Sequence, residues 1–148
     1  MNLLKPNVIA VIGASDRAGF SRSTCKNLLY TEDPKKVYFI NPKKDELYGE
    51  PCYKSLADLP QPPELVIMCV NAGLIPQMLR DTAAAGCHSV VVYASGYGET
   101  GTEEGKKLQK ELIDLCSELN ILLMGPNCAG YVNFIDGVYA FGLEVDKA

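Results

Sequence analysis

The sequence lacks the features of membrane-spanning, secreted and zinc-binding proteins. Its longest apolar runs, at 65–70 and 89–94, are far shorter than the roughly 20 residues that a membrane span requires. The first residues contain no long apolar core, so no secretory signal is expected. The 6 cysteines are scattered without a C-x-x-C pair, which excludes zinc-site spacing and fits free thiols in a reducing cytoplasm.

The chain also has no excess of positive charge. Its 14 Lys and Arg residues against 18 Asp and Glu residues give a net charge of -4. Such a balance argues against a non-specific nucleic-acid or anionic-membrane binder, although a local basic patch can still hold a phosphate ligand. We therefore expect neither nucleic acid nor a membrane as a partner.

Catalytic side chains are missing as well. The sequence has no Ser-His-Asp order and no carboxylate pair placed for acid–base chemistry. Its single histidine, His88, directly precedes a predicted strand and so falls at the amino edge of the sheet, where a surface or helix-capping role is expected. We predict no catalytic residue and no metal site in this chain.

What the sequence does contain is an alternation of apolar runs and amphipathic segments. Short runs rich in β-branched residues predict five buried strands, at 7–12, 36–40, 65–70, 89–93 and 121–124. Spacing of apolar residues predicts helices at 23–30, 74–85 and 102–119. This order predicts an α/β fold: a Rossmann-like, doubly wound, mainly parallel five-stranded sheet with helices on both faces.

The 148 residues suffice for one domain. We expect residues 1–133 to form it, with only a short helical piece at 55–59 in the Pro- and Tyr-rich segment 49–63. Residues 134–148 show no convincing partner element and are predicted to be an irregular tail that leads towards a further domain.

Ligands of open α/β sheets bind beyond the carboxyl ends of the strands, where the strand order reverses. The loop after the first predicted strand, residues 13–19, reads Gly-Ala-Ser-Asp-Arg-Ala-Gly. Small residues there let backbone N–H groups approach a phosphate. Because G-x-G-x-x-G is incomplete, the loop alone also fits a purely structural tight turn.

The loop after the second strand narrows the choice of phosphate compound. An NAD site requires an acidic residue here for the ribose, but this chain has Asn41-Pro42-Lys43-Lys44. A cation favours an additional phosphate, either the 2′-phosphate of NADP or the 3′-phosphate of coenzyme A. Ordinary solvated loop charges are the third possibility.

Three more loops follow predicted strands and face the same edge. They are residues 71–73, 94–98 and 125–130, all built from small or amide-bearing residues that leave room for an extended polar ligand. Cys128 is the one cysteine in these three loops. With no base or cation beside it in sequence, it is expected to be a packed or ligand-contacting thiol rather than a nucleophile.

Five short motifs in this order carry a family resemblance. They are Val-Ile-Gly-Ala-Ser-Asp-Arg (11–17), Ile-Asn-Pro-Lys (40–43), Tyr-Lys-Ser-Leu-Ala-Asp-Leu-Pro (53–60), Ala-Ser-Gly-Tyr-Gly-Glu (94–99) and Gly-Pro-Asn-Cys-Ala-Gly (125–130). Together they resemble the amino-terminal CoA-binding domain of the nucleoside-diphosphate-forming acyl-CoA synthetases, the superfamily of the succinyl-CoA synthetase alpha subunit. The similarity runs from about Leu3 to Asn133.

The resemblance implies a domain that binds coenzyme A or acyl-CoA across these loops. It assigns the nucleotide end to Gly13, Ala14, Ser15, Arg17 and Gly19, and a CoA phosphate to Lys43. It assigns the adenine or pantetheine path to Val70, Asn71 and Ala72, and the thiol end to Ser95, Gly96, Asn127 and Cys128.

Members of the family commonly have a second glycine soon after Gly19. Here residues 20–23 are Phe-Ser-Arg-Ser, so the close phosphate approach is either absent or made by the hydroxyls of Ser21 and Ser23.

The family reaction joins a carboxylic acid to CoA through an acyl phosphate and a phosphohistidine that lies in a following domain. Because 148 residues cannot hold that domain or the nucleotide-grasp domain, the resemblance implies binding without ligation. The implied partners are the remaining synthetase domains or subunits, with a homo-oligomer possible. Two alternatives stay open: an NADP-binding oxidoreductase domain, and a standalone CoA-binding regulatory domain or one associated with a protein acetyltransferase.

Overall fold

The computed structural model describes residues 2–30 and 36–145. Their strands are β1 (Val8–Ile12), β2 (Lys36–Ile40), β3 (Glu46–Leu47), β4 (Glu50–Tyr53), β5 (Leu65–Met68), β6 (Ser89–Val92) and β7 (Leu122–Met124). Their α-helices are α1 (Phe20–Leu29), α2 (Ile75–Ala84) and α3 (Glu103–Glu118). No helix in these two ranges is long and apolar enough to cross a membrane.

The strands form one sheet in the order β3-β4-β2-β1-β5-β6-β7, in which only β3 and β4 pair antiparallel. The prediction of a Rossmann-like, mainly parallel sheet is confirmed, and all five predicted strands are present. The predicted strand number is wrong, because β3 and β4 add a short hairpin at one edge. Those two strands contain no buried apolar run, so they lack the pattern that marks the other five.

Side chains of the central strand alternate between two cores, one on each face of the sheet. Ala10 and Ile12 of β1 pack in the core that α2 and α3 cover. Ile9 and Val11 pack in the core that α1 covers. This alternation is the period-2 geometry of a strand buried on both faces, and it confirms the predicted helices on both sides.

Helix ends follow local chemistry that the sequence shows. The Thr102 hydroxyl accepts a hydrogen bond from the Gly105 amide at 3.0 Å and so caps the start of α3. Just beyond its end, Asn120 adopts a left-handed φ of 54°. His88 Nδ1 lies 3.1 Å from the carbonyl oxygens of Leu119 and Asn120, which confirms its helix-capping role at the amino edge of the sheet.

The segment after Asn133 is not a loose tail. Val138 and Ala140 are completely buried in the core under α1. The expectation that this segment lacks a partner is therefore wrong for residues 138–145, because its partner is a helix more than 100 residues earlier in the chain. Residues 146–148 of the predicted tail lie outside the described residues, and the domain boundary at 133 stays a prediction.

Asn27 on α1 holds this segment in place. Its side-chain Nδ2 donates to the carbonyls of Phe141 (2.9 Å) and Leu143 (2.7 Å), and its Oδ1 accepts from the amide of Val145 (3.2 Å). Only 1% of Asn27 is exposed, so each of these three backbone groups would lose a buried partner without it.

We expect Asn27→Ala to lower the free energy of unfolding by about 3 kcal/mol, since it leaves the Leu143 carbonyl and the Val145 N–H without a partner. The Phe141 carbonyl keeps its hydrogen bond from the Thr24 hydroxyl at 3.2 Å. Urea denaturation measures this loss, and faster amide exchange at Val145 locates it. Ser23→Ala on the same helix is the control, because the Ser23 side chain has no hydrogen bond within the described residues. Equal unfolding midpoints for the two variants would contradict the role of Asn27.

Candidate functional site

The strand order reverses at β1. The chain proceeds from β1 to β2 on one side, and then returns to place β5 on the other side of β1. The loops that follow the carboxyl ends of β1 and β5 therefore meet at this point, which is where open α/β sheets bind ligands. The loop of residues 13–19 is hereafter the first turn.

Gly13 is the residue that allows the two loops to meet. Its φ is +76°, and a β-carbon at this position would lie 2.3 Å from the Cys69 carbonyl oxygen and 3.0 Å from Cγ1 of Val70. No side chain fits such a space, and the left-handed φ is itself unfavourable for other residues. Gly13 and Val70, both predicted site residues, are thus in direct proximity.

Some backbone N–H groups of the first turn have a hydrogen-bond acceptor within the described residues, and others have none. The amides of Gly13 and Ala14 both donate to the carbonyl of Ile40, at 3.1 and 3.2 Å. The Arg17 amide donates to the Ser15 hydroxyl at 3.0 Å. The Ser15 amide donates to the Cys25 sulfur, and the Asp16 amide donates to its own carboxylate. The amides of Ala18 and Gly19 have no acceptor in the described part of the chain. Gly13 and Ala14 therefore shape the turn, while the later residues have N–H groups to offer an anion.

Ser21 has a different role from the one expected of it. Its hydroxyl donates to the Gly13 carbonyl at 2.7 Å, so it stabilises the first turn from inside and has no proton left for a phosphate. Ser23, half-buried on the same helix, is the remaining hydroxyl of the predicted pair.

Lysines near the first turn differ in their pairing. Lys44 forms an ion pair with Asp16 (Nζ to Oδ1, 2.9 Å), and Lys54 forms one with Asp45 (2.9 Å). The hydrogen bonds from these lysines lower the pKa of both aspartates. Lys43 is exposed and has no ion pair within the described residues, and its loop is fixed by a bond from its amide to Oδ1 of Asn41 at 2.8 Å.

The loop after β5 continues the edge away from Gly13. Asn71 is exposed there, and Ala72 begins a short 3-10 helix, Ala72–Leu74, that leads into α2. All three predicted residues of this loop, Val70 to Ala72, follow the carboxyl end of β5 directly.

The loops after β6 and β7 are joined to each other. The Asn127 amide donates to the Ala94 carbonyl at 2.8 Å, which brings the loop of Ser95 and Gly96 against that of Asn127 and Cys128. The Cys128 thiol donates to the Val92 carbonyl at 3.5 Å and packs against the core under α1, as expected of a packed thiol. The predicted thiol-end residues thus form one group, one to two strands beyond β5.

Glu99 adds a carboxylate to this group that sequence reasoning did not predict. Its carboxylate accepts hydrogen bonds from the amides of Gly96 and Tyr97. Desolvation raises the Glu99 pKa, but these backbone hydrogen bonds outweigh it and the pKa is lowered overall. In residues 2–30 and 36–145, no group of three His, Cys, Asp or Glu residues could hold a metal ion.

Comparison with known proteins identifies the family. A profile described as "CoA binding domain" matches residues 7–133. The chain belongs to the CoA-binding domain family. Coenzyme A is therefore the ligand that this domain binds.

Its relatives are longer proteins. The chain is 39% identical over 137 residues to a trans-feruloyl-CoA synthase from an unknown prokaryotic organism, covering 92% of this chain and 19% of the relative. It is 38% identical over 132 residues to the acetate–CoA ligase [ADP-forming] I of Archaeoglobus fulgidus, with coverage of 88% and 19%. It is 37% identical over 143 residues to the alpha subunit of acetate–CoA ligase [ADP-forming] II of Pyrococcus furiosus, with coverage of 96% and 31%.

Solved structures show the same relation. The dinucleotide-forming acetyl-coenzyme A synthetase 1 of Ca. Korarchaeum cryptofilum, in complex with phosphate and ADP, superposes with a TM-score of 0.87 at 32% identity, covering 95% of this chain and 30% of that chain. A protein of Pyrococcus horikoshii superposes with a TM-score of 0.90 at 34% identity, with coverage of 98% and 33%. The chain thus spans a fifth to a third of the length of these proteins.

We expect Gly13→Ala to destabilise the fold by about 3 kcal/mol and to abolish CoA binding, because the new methyl group collides with the Cys69 carbonyl at a positive φ. Gly73→Ala is the matched control, since a β-carbon there meets nothing within 4 Å and the backbone is not left-handed. Thermal unfolding and calorimetric CoA titration measure the two effects. A Gly13→Ala protein as stable as the Gly73→Ala protein would contradict the close approach.

Proposed function

We propose that this chain is the CoA-binding part of a nucleoside-diphosphate-forming acyl-CoA synthetase and does not ligate CoA by itself. The observation that carries this proposal is the family membership together with relatives that are CoA ligases and synthases and that match nearly the whole chain. The convergence of five loops on one sheet edge supplies the space for an extended ligand.

The placement of CoA follows from the strand order. Unused amides of the first turn, at Ala18 and Gly19, suit the diphosphate. Lys43 and Arg17, neither held in an ion pair within the described residues, suit the 3′-phosphate. From the β2 loop to the β7 loop are four interstrand spacings, about 19 Å. That length takes the pantetheine arm past Val70 towards the thiol end at Cys128.

The position of the only histidine supports binding without ligation. His88, the only histidine of the sequence, caps α3 at the amino edge of the sheet, opposite the loops that would hold CoA. The phosphohistidine and the nucleotide site would therefore come from further synthetase domains or subunits. Exposed apolar side chains at Phe134 and Ile135, on the turn after Asn133, support such a partner. The described cysteines are all free thiols, which fits a reducing compartment such as the cytoplasm.

Calorimetric titration with CoA, 3′-dephospho-CoA and NADPH tests the proposal. We expect CoA to bind and dephospho-CoA to bind about tenfold more weakly, because it lacks the phosphate that would contact the Lys43 ammonium group. Lys43→Met should weaken CoA binding towards the level of dephospho-CoA, with Arg17 keeping part of the contact, and should leave dephospho-CoA unchanged.

The control is Lys107→Met, which removes an exposed lysine of α3 that pairs with Glu111 and should alter neither affinity. No binding of CoA by the unaltered chain would contradict the proposed function. Equal affinity for CoA and dephospho-CoA would contradict only the role of Lys43. Tighter binding of NADPH than of CoA would favour an NADP-binding oxidoreductase domain instead.

A further inference from the structure

Four successive residues of the first turn are each held by one side chain from elsewhere. Three of those side chains come from residues 41–48, which run from the end of β2 to the turn between β3 and β4. The contacts are Ser21 Oγ to the Gly13 carbonyl (2.7 Å), Asn41 Nδ2 to the Ala14 carbonyl (2.9 Å), Tyr48 hydroxyl to the Ser15 carbonyl (3.0 Å) and Lys44 Nζ to the Asp16 carboxylate (2.9 Å).

These contacts matter because the first turn would have to present N–H groups to an anion. A peptide carbonyl carries partial negative charge, so each carbonyl that turned towards a phosphate would repel it. A carbonyl that accepts a hydrogen bond from a protein donor stays pointed at that donor. The residue with a full negative charge in the turn, Asp16, poses the same problem more strongly.

We propose that residues 41–48 act as a brace that holds the first turn ready for the phosphates of CoA: Asn41 and Tyr48 keep two carbonyls turned away, and Lys44 cancels the charge of Asp16. This inference rests on the proposed CoA site. In it, Asn41, Tyr48 and Lys44 are positioning residues that do not touch the ligand.

Asn41 is oriented by two hydrogen bonds with opposite polarity. Its Oδ1 accepts from the Lys43 amide at 2.8 Å, which leaves Nδ2 to donate to the Ala14 carbonyl. The neighbouring Ile40 carbonyl accepts from the amides of Gly13 and Ala14. Residues at the end of β2 therefore form hydrogen bonds with both N–H groups and a carbonyl of the first turn.

Tyr48 reaches the turn from the hairpin at the edge of the sheet. Its ring packs edge-on against Phe39, with ring centroids 6.0 Å apart, and its backbone takes a left-handed φ of 54° between β3 and β4. A residue with a β-carbon adopts that φ at a cost, so the surrounding structure must hold it there. The result is a phenol hydroxyl placed on the Ser15 carbonyl from 33 residues away.

The adjacent lysines Lys43 and Lys44 have different roles. The Lys44–Asp16 pair is partly exposed, with side-chain exposures of 38% and 55%, so it adds little to stability. Its effect is electrostatic, since it removes a negative charge from the place where the ligand's phosphates would approach. Lys43, which has no ion pair among the described residues, is then the lysine of the two that meets the ligand.

The test of Lys44 is a double-variant cycle with Asp16, read as the dissociation constant for CoA. We expect Lys44→Met to weaken CoA binding about three- to tenfold, because the unpaired Asp16 carboxylate repels the phosphates. Adding Asp16→Asn to Lys44→Met should restore the affinity to within about twofold. Adding Asp16→Asn to Lys43→Met should restore nothing, because Lys43 would contact the ligand itself.

Added salt provides a second readout for the same variants. Repulsion between exposed charges is screened by salt, so the loss caused by Lys44→Met should shrink between low and high ionic strength. A Lys44→Met protein that binds CoA normally overturns the role of Lys44. A loss that Asp16→Asn fails to rescue also overturns it, because Lys44 would then touch the ligand directly.

The test of Tyr48 removes only its hydroxyl. Tyr48→Phe should raise the dissociation constants for CoA and for 3′-dephospho-CoA by the same factor, about three- to tenfold, since both ligands carry the diphosphate. Lys43→Met, by contrast, should affect CoA alone. The matched control is Tyr38→Phe on β2, which removes a hydroxyl that accepts from Gln61 Nε2 at 2.8 Å away from the turn.

Thermal unfolding separates positioning from stability. Tyr48 is 37% exposed, so Tyr48→Phe should melt within a degree or two of Tyr38→Phe while differing from it in CoA affinity. Equal CoA affinities for the two variants overturn the brace and leave the proposed function standing. Failure of the unaltered chain to bind CoA overturns the proposed function before any variant is compared.

Discussion

The approach of the Gly13 backbone to the Cys69 carbonyl is the constraint on which the rest of the site depends. It occurs where β1 and β5, distant in sequence, lie side by side with parallel register. Because no β-carbon fits there, the first turn can pass directly over the end of β5 and join the two halves of the sheet edge. Each of the other loops takes its place relative to this crossing, since the order of parallel strands places their carboxyl ends in one row.

Ion pairs near the first turn explain how a protein with net negative charge could bind a ligand with several negative charges. Net charge describes the field far from the surface, whereas a phosphate bound at the first turn, as we propose, would respond to groups within a few ångströms. In that small volume Asp16 and Asp45 each have a lysine partner, while Lys43 has none within the described residues. In the proposed site, the pairing of the acids, more than the number of lysines, would decide which charge an approaching phosphate meets.

Helix α1 connects the first turn with the last part of the described chain. Phe20 at its start packs edge-on against Tyr93 and lies next to Gly142. Asn27 near its end binds the backbone of residues 141–145. Helix α1 therefore contacts both the first turn and residues 141–145, and the completely buried Val138 and Ala140 anchor this last segment in the core.

The sequence by itself determined the five buried strands, the three helices and the ends of α2 and α3, because those features arise from contacts between near neighbours and from apolar spacing. Its motifs also identified the family and the loops. The tertiary structure alone decided the β3–β4 hairpin, the role of Tyr48, the capture of residues 141–145 by Asn27 and the pairing of Lys44 rather than Lys43. The hairpin has no buried apolar run to mark it in the sequence. The other three depend on polar groups that are up to 118 residues apart and meet only when the chain has folded, and single polar residues carry no periodic signal of their partners.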